Sequence, residues 1–391
     1  MGLFSKAKEK EELALVFDIR SSSVGGSLFW TQKNGAPRMI FSTREPIVFE
    51  EKIDFERFLY LTIQSLDIVV NKLCLKGLGA PKKIYCILSS PWYASQTRSI
   101  VFNKNTSFVF TAKLADNLIQ KEISLFEEEY LKKYKHIDDK IKLLEFKNMS
   151  IVLNGYETTK PLKQKAKELG MTVFVSVGEE QVLNKIQESI NKHFHNREVK
   201  FLSFLMTSFA VARDMFVHEE NFLLVDVGGE ITDISMVKKN ILRSSVSFPL
   251  GRNFFVRGIK EALACSLDEA KSFMSLFKDG HGSGAVNEKL EPVVLKLKKE
   301  WLKKFQESLA SITNDISIPS VVFVTVEEDL AQFFIETIKT EEFNQYSLTD
   351  SKFKIVFLGN QALHGIVLFG EDTVRDPFLI LESIYINRFL S

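Results

Sequence analysis

The sequence predicts a two-lobed α/β protein that carries an inserted α+β subdomain. Its 391 residues, 45% of them apolar, exceed what one compact core usually holds. A strand, a tight turn and a second strand occur twice, at residues 13–29 and 222–237. Helical and strand-like segments follow each pair, so we expect two lobes built on one plan.

Composition excludes several classes of protein. Lys and Arg total 51 against 50 Asp and Glu, so no net field favours nucleic acid or an anionic bilayer, and no nucleic-acid partner is expected. The cysteines, Cys74, Cys86 and Cys265, form no CxxC pair and fit a reducing compartment. Residues 1–10 lack a hydrophobic signal core, and no apolar run approaches the ~20 residues of a membrane span. We therefore expect a cytoplasmic protein.

The first hairpin opens lobe I. Residues 13–17 are apolar and lead to Asp18, a turn follows, and the apolar pattern resumes over residues 24–29. The turn contains Arg20 and three serines, Ser21, Ser22 and Ser23. Helical spacing then predicts a helix over residues 54–75, and residues 84–88 read as a short buried strand, which together suit an α/β lobe.

The pattern changes after about residue 100. A strand-like segment at 107–110 precedes a charged helix at 114–133, and further strand-like segments occupy 141–146, 149–154 and 171–177. We expect these to form the inserted subdomain. An amphipathic helix over 179–194 and a largely apolar one over 203–216 then return the chain to lobe I.

The second hairpin opens lobe II. Its first strand covers residues 222–225 and ends at Asp226, Gly228 and Gly229 form the turn, and residues 231–237 form the second strand. Helices are expected at 253–264, 290–312 and 330–339. A capping box formed by Ser266 and Glu269 predicts the start of one more helix, directly after the first of these. Strands are expected at 321–326 and 354–358, and a glycine-rich link at Gly280, Gly282 and Gly284.

The chain closes on a terminal helix that Asp376 and Pro377 begin. It is largely apolar, has Arg388 as its only interior basic residue and has no flexible tether before it, which indicates packing inside the fold rather than a membrane anchor. The predicted organisation is lobe I at 1–100, the inserted subdomain at 101–178, a return to lobe I with a connecting helix at 179–220, lobe II at 221–371 with a small helical subdomain at about 253–315, and the terminal helix on lobe I at 372–391.

The two turns carry the candidate chemistry. A turn between two strands leaves several backbone amides unpaired, and such a concavity binds phosphate oxygens. An aspartate at the strand end can hold the magnesium that accompanies a nucleotide, which makes Asp18 and Asp226 candidate metal ligands and catalytic residues. The candidate phosphate-binding residues are Ser21, Ser22, Ser23, Asp226, Gly228, Gly229, Glu230 and Thr232.

Two segments carry a family resemblance. Residues 17–29 read FDIRSSSVGGSLF, and residues 224–237 read LVDVGGEITDISMV. They resemble the two phosphate loops of the actin-like ATPases, in the FtsA and PilM branch, and the order of other segments agrees over nearly the whole chain. The resemblance implies the two-lobed actin-like (ribonuclease H-like) fold, with ATP and Mg²⁺ as cofactors.

Residues 154–176 resemble the corresponding stretch of FtsA and favour that member of the branch. The resemblance then implies a cytoplasmic adaptor in bacterial cell division at the inner membrane, with peripheral or indirect membrane contact. Its partners would be a tubulin-like division protein or membrane assembly proteins, and it could self-associate into filaments. The alternatives are a PilM-like component of type IV pilus assembly and a sugar or acyl kinase of the same superfold.

Three departures from the family pattern predict an eroded nucleotide site. Arg20 stands where the family usually has glycine, and Ser203 where FtsA relatives have a glutamate ahead of the connecting helix. Thr325 is followed by Val326 and then by Glu327, Glu328 and Asp329 instead of successive glycines, and their charges would repel phosphates. Weak or absent ATP hydrolysis is therefore expected.

Two smaller features are assigned structural roles. His193 and His195 stand two apart with no cysteine or carboxylate trio beside them, so we expect a surface helix end rather than a metal site. Leu3 and Phe4, with nearby lysines, form a small basic and apolar segment that is too weak to anchor the chain to a membrane alone.

Overall fold

The computed structural model describes residues 11–33, 35–133, 140–194, 198–278, 284–312, 318–339, 353–371 and 373–390. Within these ranges the chain forms three sheets, of six, five and four strands, with helices packed against them. The predicted N-terminal segment around Leu3 and Phe4 lies outside the described residues, as do His195, Gly280 and Gly282. The mixed α/β class follows directly from this architecture.

Lobe I is built on the six-stranded sheet, which has the order β15-β3-β2-β1-β4-β9. Its strands are β1 (Glu12–Ile19), β2 (Ser23–Thr31), β3 (Arg38–Pro46), β4 (Lys83–Leu88), β9 (Val199–Ser203) and β15 (Leu368–Phe369). β1 to β3 form an antiparallel meander, and β4 and β9 extend the sheet in parallel to β1. The first hairpin is thus formed where the sequence predicts it.

Two helices, α1 (Phe55–Leu75) and α3 (Glu180–Asn191), pack on one face of this sheet. Gly26 of β2 permits the close approach of α1, because a Cβ there would lie 2.6 Å from side-chain atoms of Leu73 and Val69. By length and composition α1 is apolar enough to cross a membrane, contrary to the expectation from the sequence. Its buried face supplies the lobe I core, which accounts for that composition.

The inserted subdomain is a four-stranded antiparallel sheet with one helix. Its elements are β5 (Ala94–Val109), α2 (Ala112–Lys133), β6 (Ile141–Leu153), β7 (Tyr156–Glu157) and β8 (Lys165–Glu179). β5 begins well before the predicted segment. The sequence does not reveal its first residues, because β5 is a polar, mostly exposed edge strand with little apolar alternation. The two segments predicted over 141–154 form one strand that is interrupted by two register shifts.

Lobe II is built on the five-stranded sheet, which has the order β12-β11-β10-β13-β14. Its strands are β10 (Phe222–Val227), β11 (Thr232–Lys238), β12 (Ile241–Phe248), β13 (Val321–Thr325) and β14 (Lys354–Phe357). Its helices are α5 (Arg252–Leu263), α6 (Leu267–Lys278), α7 (Gly284–Ile312) and α8 (Ala331–Ile338). An aromatic cluster around Trp301, Phe305, Phe255 and Phe334 fills the core between these helices and the sheet.

A central layer joins the lobes. It consists of α4 (Phe204–Met215) and α9 (Pro377–Phe389), whose buried side chains share one hydrophobic core with residues of both large sheets. All side chains from Pro377 to Asn387 are buried, as a helix that is apolar all round requires. Asp376 caps α9 by accepting hydrogen bonds from the amides of Phe378 and Leu379. The terminal helix therefore lies inside the fold.

The sequence misses three principal strands, β3, β9 and β12. β3 is half-buried and rich in polar residues, and β12 lies at a sheet edge with a run of serines, so neither shows a clean apolar alternation. β9 is only five residues long. Gly284, which was expected in a link, instead begins α7.

The predicted capping box at the start of α6 is confirmed. Ser266 Oγ accepts from the amide of Glu269 at 3.3 Å, and Glu269 Oε2 accepts from the amide of Ser266 at 2.7 Å. Replacing Ser266 with alanine should lower the free energy of unfolding by about 1 kcal/mol in urea denaturation. Ser272→Ala, an exposed change within the same helix, should leave it within about 0.5 kcal/mol. Equal effects of the two changes would contradict a capping role.

Candidate functional site: the cleft between the lobes

The two hairpin turns meet across the cleft and touch. Ser21 Oγ of the β1–β2 turn accepts a hydrogen bond of 3.1 Å from the amide of Glu230 in the β10–β11 turn. A Cβ on Gly229 would lie 2.7 Å from the carbonyl oxygen of Ser21, so only glycine permits this approach. The predicted phosphate-binding turns are thus brought together, and they bind each other.

The second turn also occupies the N-terminus of α5. The carbonyl oxygens of Gly228 and Gly229 accept from the amides of Arg252 and Asn253, at 3.0 and 2.8 Å. A Cβ on Gly251 would lie 2.4 Å from the Gly229 oxygen, which explains the glycine at that position. Amides at a helix N-terminus are a common site for anions, and here backbone carbonyls take that place.

Arg20 lies between the two predicted magnesium ligands. Its Nη2 is 2.5 Å from Asp226 Oδ1 and its Nη1 is 3.9 Å from Asp18 Oδ1. Only 1% of its side chain is exposed, and the guanidinium carbon lies 3.8 Å from the ring centre of Phe378 and 4.5 Å from that of Phe204. A guanidinium therefore stands where the sequence argument places a metal ion.

Both aspartates have further partners. Thr325 Oγ1 donates to Asp226 Oδ1 at 2.7 Å, and Arg44 Nη2 donates to Asp18 Oδ2 at 2.6 Å. Burial raises the pKa of Asp226, although the charge of Arg20 and the Thr325 hydrogen bond oppose the rise. Each carboxylate thus pairs with a protein cation, while Asp18 Oδ1 and Arg20 Nη1 are buried without a hydrogen-bond partner among the described residues.

Arg44 of β3 ties three elements together. Besides Asp18, it donates from Nε to Asp376 Oδ2 at 2.5 Å and from Nη1 to Ser23 Oγ at 3.0 Å. A Cβ on Gly25 would lie 2.6 Å from Arg44 Nη2, so this glycine makes room for the guanidinium. Burial would lower the pKa of Arg44, but the charges of Asp376 and Asp18 outweigh it and raise that pKa.

The remaining predicted phosphate-binding residues are engaged by the protein itself. Ser22 Oγ donates to Glu327 Oε1 at 2.8 Å, and Glu327 also pairs with Arg252. Glu230 accepts from Asn253 and from both terminal nitrogens of Arg257. Thr232 Oγ1 donates to the carbonyl oxygen of Leu250 at 2.8 Å.

The acidic residues after Thr325 are paired as well. Asn360 Nδ2 donates to Glu328 Oε2 at 2.5 Å, and Lys278 Nζ lies 2.5 Å from Asp329 Oδ2. These carboxylates are held by neighbouring groups of lobe II, while Glu327 reaches across to lobe I. The segment after Thr325 is therefore a part of the lobe contact, through Glu327.

A second contact closes the rim of the cleft. Arg257 Nη2 donates to the carbonyl oxygen of Glu50 at 3.1 Å, and the guanidinium carbon of Arg257 lies 4.6 Å from the ring centre of Phe49. Lys260 Nζ lies 2.9 Å from Glu51 Oε1. The loop before α1 in lobe I is thus fastened to α5 of lobe II.

Little space is left between these contacts. A cavity of about 20 Å³ adjoins Ser21, Glu230 and Arg257, and one of about 10 Å³ adjoins Asp226 and Thr325. Such volumes hold one or two water molecules, whereas small-molecule sites usually measure about 300–1,000 Å³. The residues at this site therefore do not fit ATP and Mg²⁺ in the described conformation.

Ser203 donates hydrogen bonds to a carboxylate of the inserted subdomain. Glu145 Oε2 of β6 accepts from both the amide and the Oγ of Ser203, at 2.8 and 2.6 Å, and Tyr385 donates to its Oε1 at 3.3 Å. Burial raises the pKa of Glu145, although these hydrogen bonds oppose the rise. The inserted subdomain thereby caps the connecting helix α4.

Within the described ranges, no group of three or more His, Cys, Asp or Glu side chains is arranged to hold a metal ion. His193 lies just beyond α3 and lines an open groove on the outer face of lobe I with Leu73 and Phe194. The groove measures about 450 Å³ and is formed around the end of α1 rather than at the two turns.

Comparisons with known proteins agree with the architecture. No family model and no curated protein matches the sequence. A solved structure described as the PilM-PilN type IV pilus biogenesis complex superposes with a TM-score of 0.60, covering 95% of this chain and 97% of that one at 13% identity. The chain has the actin-like ATPase fold. The fold prediction is confirmed.

Two other solved structures of this fold are less similar. The ethanolamine utilization protein EutJ from Carboxydothermus hydrogenoformans gives a TM-score of 0.42 at 11% identity, covering 97% of this chain and 90% of that one. A Bacteroides thetaiotaomicron protein with an actin-like ATPase fold gives 0.38 at 11% identity, covering 92% and 95%. The likeness to the PilM-PilN structure, at 13% identity, shows the fold alone and does not separate the FtsA from the PilM branch.

Sequence reasoning missed several residues of the actin-like cleft. Arg44, Phe378 and Arg257 each contact it, yet none stands in a recognisable motif. A buried glutamate of α9, Glu382, was missed too, although a lone acid in an apolar helix is a visible signal. Burial and the charge of Asp18 raise the pKa of Glu382 well above its usual value.

Asp233 links the lobes beside Asp226. It accepts a hydrogen bond of 3.0 Å from Ser90 Oγ of lobe I and another from Ser247 of β12. Burial, followed by the charge of Asp226, raises the pKa of Asp233 to about 6. Its carboxyl group therefore titrates near neutral pH.

We expect Asp233 to make stability fall as pH rises. Because its folded pKa exceeds the unfolded value of about 3.9, its contribution is fully present below pH ~4 and is lost as pH passes through 6, a change of about 3 kcal/mol. Asp233→Asn should remove this component. The difference in unfolding free energy between wild type and variant, measured in urea from pH 4 to 7, should show it, and Asp268→Asn on exposed α6 is the control. Parallel pH profiles for wild type and Asp233→Asn would contradict this assignment.

Proposed function

We propose that this chain is a PilM-like scaffold in a membrane-associated assembly such as the type IV pilus machinery, and that it acts through protein contacts without ATP turnover. The observation that carries the proposal is the superposition on PilM over 95% of the chain, which extends over the inserted subdomain as well as both lobes. That structure is described as a complex with PilN. By analogy, the partner is a protein segment presented at the inner membrane.

The cleft supports a scaffold rather than an enzyme. The two turns bind each other, Arg20 binds Asp226, and Glu327 of the acidic segment binds Ser22. These groups therefore stabilise the contact between the lobes. Cavities of about 20 and 10 Å³ leave no room for a phosphoryl donor and an acceptor. The kinase alternative therefore has no support from the described geometry.

An FtsA-like division adaptor is the second candidate, and one observation favours it. Residues 154–176 resemble FtsA in sequence, and Asn154 and Gly155 form a turn with φ of 51° and 83° that joins β6 to β7. Asn and Gly tolerate this left-handed backbone well. We propose for either role a cytoplasmic position at the inner face of the membrane.

Binding assays on the purified chain separate these functions. Fluorescence anisotropy with peptides from the cytoplasmic ends of membrane proteins encoded beside its gene should give saturable binding, with scrambled peptides as controls. Co-sedimentation with a tubulin-like division polymer tests the second candidate. Saturable binding of the polymer and none of the peptides would replace the PilM-like role by the FtsA-like one. Calorimetric binding of Mg²⁺ and ATP with turnover would overturn the claim that the chain acts without ATP hydrolysis.

A further inference from the structure

We propose that Arg20 serves as a built-in cation that takes the place of a divalent metal ion and clasps the two lobes together without nucleotide. The starting point is the disagreement between the predicted Mg²⁺ site and the residues that occupy it. Asp18 ends β1 of lobe I and Asp226 lies near the end of β10 of lobe II. These are equivalent places in two similar hairpins, and Arg20 lies between them.

The clasp crosses the lobe boundary. Arg20 belongs to lobe I, yet its 2.5 Å contact is with Asp226 of lobe II, while its distance to Asp18 of its own lobe is 3.9 Å. A charged hydrogen bond of that length between buried groups is strong. Separation of the lobes would break it and leave Arg20 with only Asp18 at 3.9 Å and Asp226 with only Thr325. Closure is therefore favoured by the protein's own charge.

The guanidinium is fixed in position. Its stem and head are buried, the rings of Phe204 and Phe378 lie beside it, and Trp92 Nε1 donates to the Arg20 carbonyl oxygen at 3.1 Å. Phe204 is the first residue of α4 and Phe378 is the second residue of α9, the two helices of the central layer. Arg20 is thus held by the same helices that join the lobes, and its side chain is only 1% exposed.

Arg20 reduces the excess negative charge of the cluster. Arg20 and Arg44 face three carboxylates, Asp18, Asp226 and Asp376. Glu382 of α9 also lies against Asp18, and its burial raises its pKa well above the usual value. The cluster carries one net negative charge, and removal of Arg20 would leave two, a setting in which carboxylate oxygens attract a hard divalent cation.

Three hydroxyl contacts reinforce the clasp from lobe I to lobe II. Ser21 pairs with the Glu230 amide, Ser22 with Glu327, and Ser90 with Asp233. None of these contacts requires a nucleotide. The inference concerns the resting state of the cleft and does not depend on which partner protein the chain binds.

The test compares Arg20→Ala with the wild type by differential scanning fluorimetry in EDTA and in 5 mM Mg²⁺ or Mn²⁺, a concentration on the order of a weak site's Kd. The wild type should melt at the same temperature in all three buffers. Arg20→Ala should melt several degrees lower in EDTA and regain part of that loss with the metal alone. Arg98→Ala, which removes a largely buried arginine of the inserted subdomain, should show no metal response.

Small-angle scattering gives a second measurement that does not require the alanine variant to fold. The wild-type radius of gyration should be the same with EDTA and with Mg²⁺ and ATP, because closure needs no ligand. A wild type that compacts on adding Mg²⁺ and ATP would overturn the proposal. A folded Arg20→Ala that gains no stability from either metal would overturn it as well.

Discussion

Replacing Arg44 with alanine is expected to lower the free energy of unfolding by about 3–5 kcal/mol. The side chain pairs with Asp18 and Asp376 and donates to Ser23, so its removal leaves carboxylates of low exposure without their main cation. An uncompensated buried charge costs far more than a surface ion pair contributes. Urea denaturation at pH 7, with hydrogen exchange of the β3 and α9 amides, measures the loss.

Arg38→Ala is the matched control for Arg44, because it removes an arginine from the same strand. Arg38 is half exposed and pairs with Glu11 at 3.9 Å, so its loss should cost less than about 1 kcal/mol. A second variant, Arg44→Met, retains the apolar stem and should recover only part of the loss. If Arg44→Ala were no more damaging than Arg38→Ala, the ionic cluster would not contribute to stability.

The parts of the fold with solid apolar runs could be predicted from the sequence. β1, β4, β10 and β13 are almost fully buried and therefore read as continuous apolar segments. Helices with caps in the sequence, such as α9 after Asp376, were located to within a few residues. β3 was not predicted, and β5 was predicted only over its last residues. Each strand has polar residues facing solvent, where the hydrophobic pattern carries little information.

The location of the candidate site could be predicted from the sequence, but the contacts that its residues make could not. The pattern of an aspartate before a small-residue turn located Asp18 and Asp226, which the structure brings to one cleft. It could not show that Arg20 turns inward and binds Asp226, since an arginine in a turn is ordinarily solvated. Nor could it pair Ser22 with Glu327, because these residues are 305 positions apart and no local rule links them.

Small residues at the turns therefore have a role different from the one their pattern suggests. In a nucleotide site, glycine and serine leave room for phosphate oxygens. Here Gly229 admits the Ser21 backbone, Gly25 admits the Arg44 guanidinium, and Gly251 admits the carbonyls of the second turn. The same steric freedom that would allow a ligand to approach allows the lobes to close on each other.

Replacing Glu145 with alanine is expected to cost about 3 kcal/mol of unfolding free energy. The carboxylate reaches from the inserted subdomain to the amide and Oγ of Ser203, and both groups are buried. Without it, the first turn of α4 loses its cap and a buried donor is left unsatisfied. Glu145→Gln, which keeps an acceptor oxygen but loses the charge, should cost about half as much.

The measurement for Glu145 is urea denaturation combined with hydrogen exchange. Amides in the first turn of α4 should exchange faster in Glu145→Ala, while those of α1 on the far face of the lobe I sheet keep their wild-type rates in native buffer. Glu157→Ala, an exposed change on β7 of the same subdomain, is the control and should leave both quantities unchanged. Because Glu145 is the carboxylate that binds both the amide and the Oγ of Ser203, a negligible effect would mean that this contact contributes nothing to the order of the central layer.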